Sequence, residues 1–184
     1  AKANLLRKYG ADWPAVYNEL VHRRFRSWGI NTLAHRSDRQ ILLVRKTPYV
    51  ASIEFENARL IEGSEAFWTR FFDVFDPSFR KALRATLDAE RGVSIGDPWC
   101  LGFFVNHEMA WGADETALAL AALRSPADQP AKVVFVQDLR RKYGAVARLN
   151  AAWGASFKSW DELLAASFEP DPRRARADLL AFSR

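Results

Sequence analysis

The chain has 184 residues, 49% apolar and 13% aromatic, so it can bury a sizeable core within the size of one domain. Its single cysteine, Cys100, excludes an internal disulfide, and no run approaches the roughly 20 apolar residues of a membrane span or suggests a signal peptide. The net charge of +5 arises from 27 basic against 22 acidic residues, with arginines gathered in HRRFRSW (His22 to Trp28), LRRK (Leu139 to Lys142) and PRRARAD (Pro172 to Asp178). Interspersed acids argue against one basic face for nucleic acid, and the clusters read as solvated helix faces.

In chain order, LLRKYG (Leu5 to Gly10) reads as a helix ended by Tyr-Gly, and LRRKYG (Leu139 to Gly144) repeats that stop. Trp13 to Ser27 carries apolar residues at helical spacing and stops before Gly29. Ile30 to Ala34 predicts a short strand that runs into His35-Arg36-Ser37-Asp38. Pro48 to Phe55 predicts a second extended piece, with Glu54 and Glu56 alternating toward solvent. Phe67-Trp68, Phe71-Phe72 and Phe75 recur near i, i+4, i+8 and predict helix packing. Asp76-Pro77 opens a helix that continues to Glu90, with Asp76 as N-cap.

After Gly92 and the Gly96-Asp97-Pro98 turn, Trp99 to Val105 is the most apolar strand, with Cys100 a small buried residue beside Trp99. It runs directly into Asn106-His107-Glu108 and then Trp111. Helices follow at about Asp114 to Leu123 and Val133 to Tyr143, then a shorter pair up to Leu164. Mostly apolar strands separated by helices imply an α/β fold with parallel strands buried on both faces. Ligands in such folds bind at the carboxyl ends of the strands, which puts the Asn-His-Glu triplet on the working edge. A closed eight-stranded barrel takes about 250 residues. Residues 1–184 are therefore expected to be a single domain forming the central part of a (β/α)8 TIM barrel. The only methionine is Met109, so residue 1 is not expected to be the natural start.

WCLGFFVNHEMAWG (Trp99 to Gly112) resembles the end of the fourth barrel strand in retaining glycoside hydrolases of clan A, in their β-galactosidase and β-agarase branches. The usual form there is close to Gly-Tyr-Phe-Val-Asp-Asn-Glu followed by Trp. KYGAVARLNAAWGASFKSWDEL (Lys142 to Leu163) is similar to the stretch that follows in those enzymes. NLLRKYG (Asn4 to Gly10) with RSWGINTL (Arg26 to Leu33) resembles the approach to an early barrel strand. The resemblance implies hydrolysis of β-linked galactosides or a related polysaccharide such as agarose.

It also implies that Glu108 is the general acid/base. A carboxyl that acts first as an acid needs partly apolar surroundings, which Phe103, Phe104 and Trp111 could supply. The family's asparagine, which bonds the sugar 2-hydroxyl, is replaced by His107, and the preceding aspartate by Asn106. Trp111 is a candidate for stacking on a pyranose, and His35 and Asp38 for binding sugar hydroxyls. A retaining mechanism needs a second carboxylate about 5–5.5 Å away. Asp114, Glu115, Asp138, Asp161, Glu162, Glu169 and Asp178 all fall in helical or loop contexts, so the nucleophile is expected elsewhere in the parent barrel and the fragment alone is expected to be inactive.

Read without its neighbours, Glu108 would be a helix cap or dipole partner and His107 a satisfied core histidine. His22, His35 and His107 are far apart and offer no metal-ligand spacing, and no glycine-rich phosphate loop precedes a helix. No metal or cofactor is expected. The partners expected are a carbohydrate substrate and the rest of the barrel, with no nucleic acid and no membrane. The alternatives are a catalytically inactive carbohydrate-binding or interaction domain and, less favoured, a nucleic-acid-binding module.

Overall fold

Helices outnumber strands in the computed structural model, which describes residues 2–64, 70–109 and 111–184. The chain divides into two units, one of residues 1–54 and 84–107, the other of residues 55–83 and 108–184.

In the first unit, α1 (Lys2–Tyr9) and α2 (Trp13–Ser27) have the bounds their stop signals predict. Gly10 follows α1 at φ 71, the left-handed conformation that closes a helix without a Cβ clash. Val21 of α2 packs with Leu33, Ile41, Leu42, Tyr49 and Ala51 in a small core, against which Tyr17, Phe25 and Trp99 lean. His22 is buried beside it, and both ring nitrogens are engaged: Nε2–H donates to the Ile41 carbonyl at 3.0 Å, and Nδ1 meets the Thr47 hydroxyl at 2.9 Å. A short helix, α3 (Arg39–Leu42), was not foreseen; Asp38 starts it by accepting from the Gln40 N–H at 2.9 Å.

The sheet consists of β1 (Tyr49–Ile53) and β2 (Cys100–Val105), parallel, with Val50 opposite Gly102 and Ser52 opposite Phe104. On the other side of β1, Leu33 alone forms a parallel bridge with Tyr49. The strand expected over Ile30–Ala34 is thus one rung long among the described residues. Along β1, Tyr49, Ala51 and Ile53 are buried while Val50 and Ser52 are half-buried, the period of two expected of a strand.

β2 departs from expectation. Leu101, Phe103, Phe104 and Val105 are exposed, Leu101 by 63%, so this strand is not buried on both faces. An apolar run identifies a strand well but does not say what covers it. The partial barrel was expected from several alternating strands; the described residues supply one parallel pair in a mainly helical chain.

α4 (Pro77–Glu90) begins as predicted, with the Asp76 carboxylate accepting from the Ser78 N–H at 2.8 Å. The second unit is chiefly helical: α5 (Ala117–Arg124), α6 (Pro130–Tyr143), α7 (Val146–Trp153), α8 (Trp160–Ala165) and α9 (Pro172–Ser183). Leu123, Phe135, Leu139, Leu149, Trp153, Leu163 and Leu179 form its core. Buried polar groups around that core are matched. Asp178 accepts from Lys142 Nζ, Tyr143 Oη and Trp153 Nε1, and Lys132 Nζ donates to the Ser125 and Ala166 carbonyls that end α5 and α8. The PRRARAD cluster lies in α9 with Arg173, Arg174 and Arg176 exposed, as a solvated helix face requires, while Ala175 and Asp178 turn into the core.

Phe71 and Phe72 are not helical. Phe72 forms an antiparallel bridge with Leu60 and stacks near Phe55 and Phe79, while Phe75 lies in a turn. Phe67 and Trp68 lie outside the described residues.

Candidate active site

The last rung of the sheet is the bond from the Asn106 N–H to the Ile53 carbonyl, at 2.9 Å. Beyond it the backbone turns sharply: Asn106 has φ 53 and Glu108 has φ 50, two of the three non-glycine residues with positive φ among the described residues. Asparagine tolerates that region, whereas glutamate does so at a cost of about 1–2 kcal/mol. Strain of this kind persists where surrounding structure enforces it, and it clusters at functional sites.

His107 sits between these two residues and is half-buried. Its Nδ1 lies 3.0 Å from His35 Nε2, although the two residues are 72 positions apart. The His35 ring stacks on Phe104, with centroids 4.1 Å apart and planes 21° from parallel. Ser52 Oγ donates to the His35 carbonyl at 3.2 Å. Both histidines thus stand at the carboxyl end of the parallel pair, where the fold argument put the working edge.

A cleft of about 460 Å³ opens beside them in the first unit, lined among others by His35, Arg36, Ser52, Glu54 and Glu90. Glu54, read from sequence as merely facing solvent, shares the β1 alternation with Ser52 and so reaches this cleft. Burial raises the Glu90 carboxyl, but bonds from Arg39 at 2.7 Å and from Ser94 outweigh it and hold the group below its usual range. Glu90 is therefore a carboxylate anchor and is unsuited to donating a proton near neutral pH.

Among the other expected residues, Asp38 serves as the cap of α3 and does not line the cleft. Glu108 is exposed and belongs to the second unit, as does Trp111. Trp111 packs against Phe71 with centroids 4.7 Å apart and leaves 58% of its surface open, so it offers an aromatic face. No group of three or more His, Cys, Asp or Glu side chains suited to a metal occurs among the described residues. The His35–His107 contact and the Phe104 platform were not legible in the sequence. A one-residue bridge at Leu33 delivers His35 beside β1, and no local pattern reports it.

Two solved structures that share this fold are agarases. An exo-beta-agarase matches 99% of this chain over 26% of its own length, with a TM-score of 0.87 and 26% identity. Another agarase matches 99% of this chain over 28% of its length, with a TM-score of 0.85 and 28% identity.

The curated relatives agree. Beta-agarase B of Vibrio sp. (strain JT0107) is 34% identical over 172 residues, covering 87% of this chain and 18% of that protein. Beta-agarase A of the same organism is 28% identical over 176 residues, covering 86% of this chain and 17% of its own. The chain thus spans less than a fifth of the length of these relatives. No family model matches it.

Proposed function

We propose that the chain is the acid/base-bearing part of a glycoside hydrolase that cleaves agarose or a related β-linked galactan. The observation that carries this reading is the 34% identity to Beta-agarase B over nearly the whole chain, joined to the fold match with two agarase structures. The Leu33 bridge, β1 and β2 would then be consecutive strands of a TIM barrel, residues 1–184 a contiguous part of that one domain, and Asn106 to Glu108 the end of its fourth strand.

Glu108 protonates the glycosidic oxygen as the bond to the leaving sugar breaks. In the second half of a retaining reaction it removes a proton from the attacking water. The nucleophilic carboxylate, about 5–5.5 Å away in such enzymes, comes from outside these 184 residues. Asp178 is no candidate, since Lys142, Tyr143 and Trp153 already occupy its oxygens. The positive φ at Glu108 supports a function that backbone comfort alone would not select. His107 and Asn106 contact the sugar hydroxyls and Trp111 stacks on a ring face. Asp38, occupied as a cap, is left out of these contacts.

The test is hydrolysis of agaro-oligosaccharides and aryl β-galactosides by the intact parent protein. Glu108→Gln should lower kcat by about 10²–10⁴-fold with folding unchanged. Unaltered turnover in that variant would overturn the assignment, and sugar binding without any turnover by the wild type would indicate an inactive carbohydrate-binding relative.

A further inference from the structure

Two imidazoles joined by one N–H···N bond constrain each other, because one nitrogen must carry the proton and the other must accept it. His35 Nε2 and His107 Nδ1 stand in this relation at 3.0 Å. His35 is itself held from both strands. Ser52 on β1 donates to its carbonyl, Phe104 on β2 carries its ring, and Ser52 and Phe104 are direct partners in the sheet register.

We propose that His35 is a positioning residue: through this bond it fixes the tautomer and ring plane of His107, the residue that precedes Glu108. The inference rests on the functional reading above. For His107 to donate to a sugar hydroxyl, its proton must sit on Nε2, so Nδ1 must accept. His35 Nε2–H is then the donor that enforces this tautomer. The aromatic platform and the serine set the direction of that donor before substrate arrives, which is what a preorganised site requires.

The contact separates into two parts by substitution. His35→Phe keeps a ring to stack on Phe104 and removes the donor. His35→Gln sacrifices the ring and places an amide N–H near the position of Nε2. In the intact parent protein, with agaro-oligosaccharides as substrate, His35→Phe should lower kcat/KM on the order of 10–100-fold, and His35→Gln should recover most of that loss. In a His107→Asn background the same His35→Phe change should cost less than about threefold, because the partner it acts through is gone.

Equal losses in His35→Phe and His35→Gln, or an undiminished effect of His35→Phe beside His107→Asn, would overturn the proposal. Absence of hydrolysis by the wild type would mean instead that the functional reading has failed. Crystal structures of intact wild type and His35→Phe then decide the positioning role by themselves. A His107 ring turned out of its wild-type plane supports it, and an unmoved ring sinks it.

Discussion

The two ends of the small parallel sheet are built in opposite ways. At the amino end, Asp97 accepts from Tyr49 Oη at 2.8 Å, from Arg45 Nε at 2.8 Å and from the Trp99 N–H at 3.0 Å, which ties the starts of β1 and β2 together. At the carboxyl end, two imidazoles share one contact, and His35 lines a cleft of about 460 Å³ together with Arg36, Ser52 and Glu54. The backbone takes positive φ at both ends, with strain at Arg45 (φ 57) and without it at Asn106 (φ 53), since asparagine tolerates that region. The strained arginine spends its side chain on Asp97, whereas Asn106 leads into the residues proposed for catalysis. The difference teaches that one end is tied together by a carboxylate network, whereas the other carries the residues proposed above for catalysis.

The sharpest way to break that contrast is at the open end. Glu108→Gln should abolish most turnover of the intact protein while its unfolding curve stays in place, a loss that steady-state kinetics would read directly. The His35 series should produce the next largest effect, in kcat/KM and with little shift in stability.

The closed end should respond in the reverse sense. Tyr49→Phe removes a buried donor to a carboxylate, which should cost about 1.5–3 kcal/mol in urea unfolding. A loss under about 0.5 kcal/mol would show that the network is not what holds the two strand starts together. Burial and the neighbouring Asp97 carboxylate push the Tyr49 phenol above its usual range, so no ionisation of this group should appear in spectra up to pH 10.

A smaller effect should appear in acid. The Trp99 N–H lowers the Asp97 pKa most; burial opposes it, and bonds from Tyr49 and Arg45 reinforce the lowering. A carboxyl with a depressed folded value stabilises the native state above its unfolded pKa, about 3.9, and loses that contribution as pH falls through the folded value. Wild type should therefore exceed Asp97→Asn in stability at pH 6, and the gap should narrow below about pH 4. Urea unfolding at pH 6, 4 and 3 would check this, and a gap that widens in acid would refute it.

Much of the helical framework was legible. The Tyr-Gly stops at Gly10 and Gly144, with φ 71 and 70, and the Asp76-Pro77 start were read correctly because a helix end is decided by the residues within one turn of it. Asp171-Pro172 bears the same start signal, with Asp171 accepting from the Arg173 N–H at 2.8 Å, and α9 is the helix whose solvated face the PRRARAD cluster suggested. The Phe71-Phe72-Phe75 spacing suggested a helix, but the Leu60 bridge claimed that stretch, a case of tertiary pairing overriding a short periodic pattern.

The site divides along the same line. The triplet Asn106-His107-Glu108 follows directly from the apolar run of β2, so its place at a strand end is a local matter and was read from the sequence alone. The meeting of His35 with His107, and the exposure of β2, were decided only in three dimensions. Both depend on the register of strands whose residues lie about fifty positions apart, and on what lies beside each strand. Neither quantity is written in the residues nearby, because a period of two says which side chains share a face and not what that face will meet.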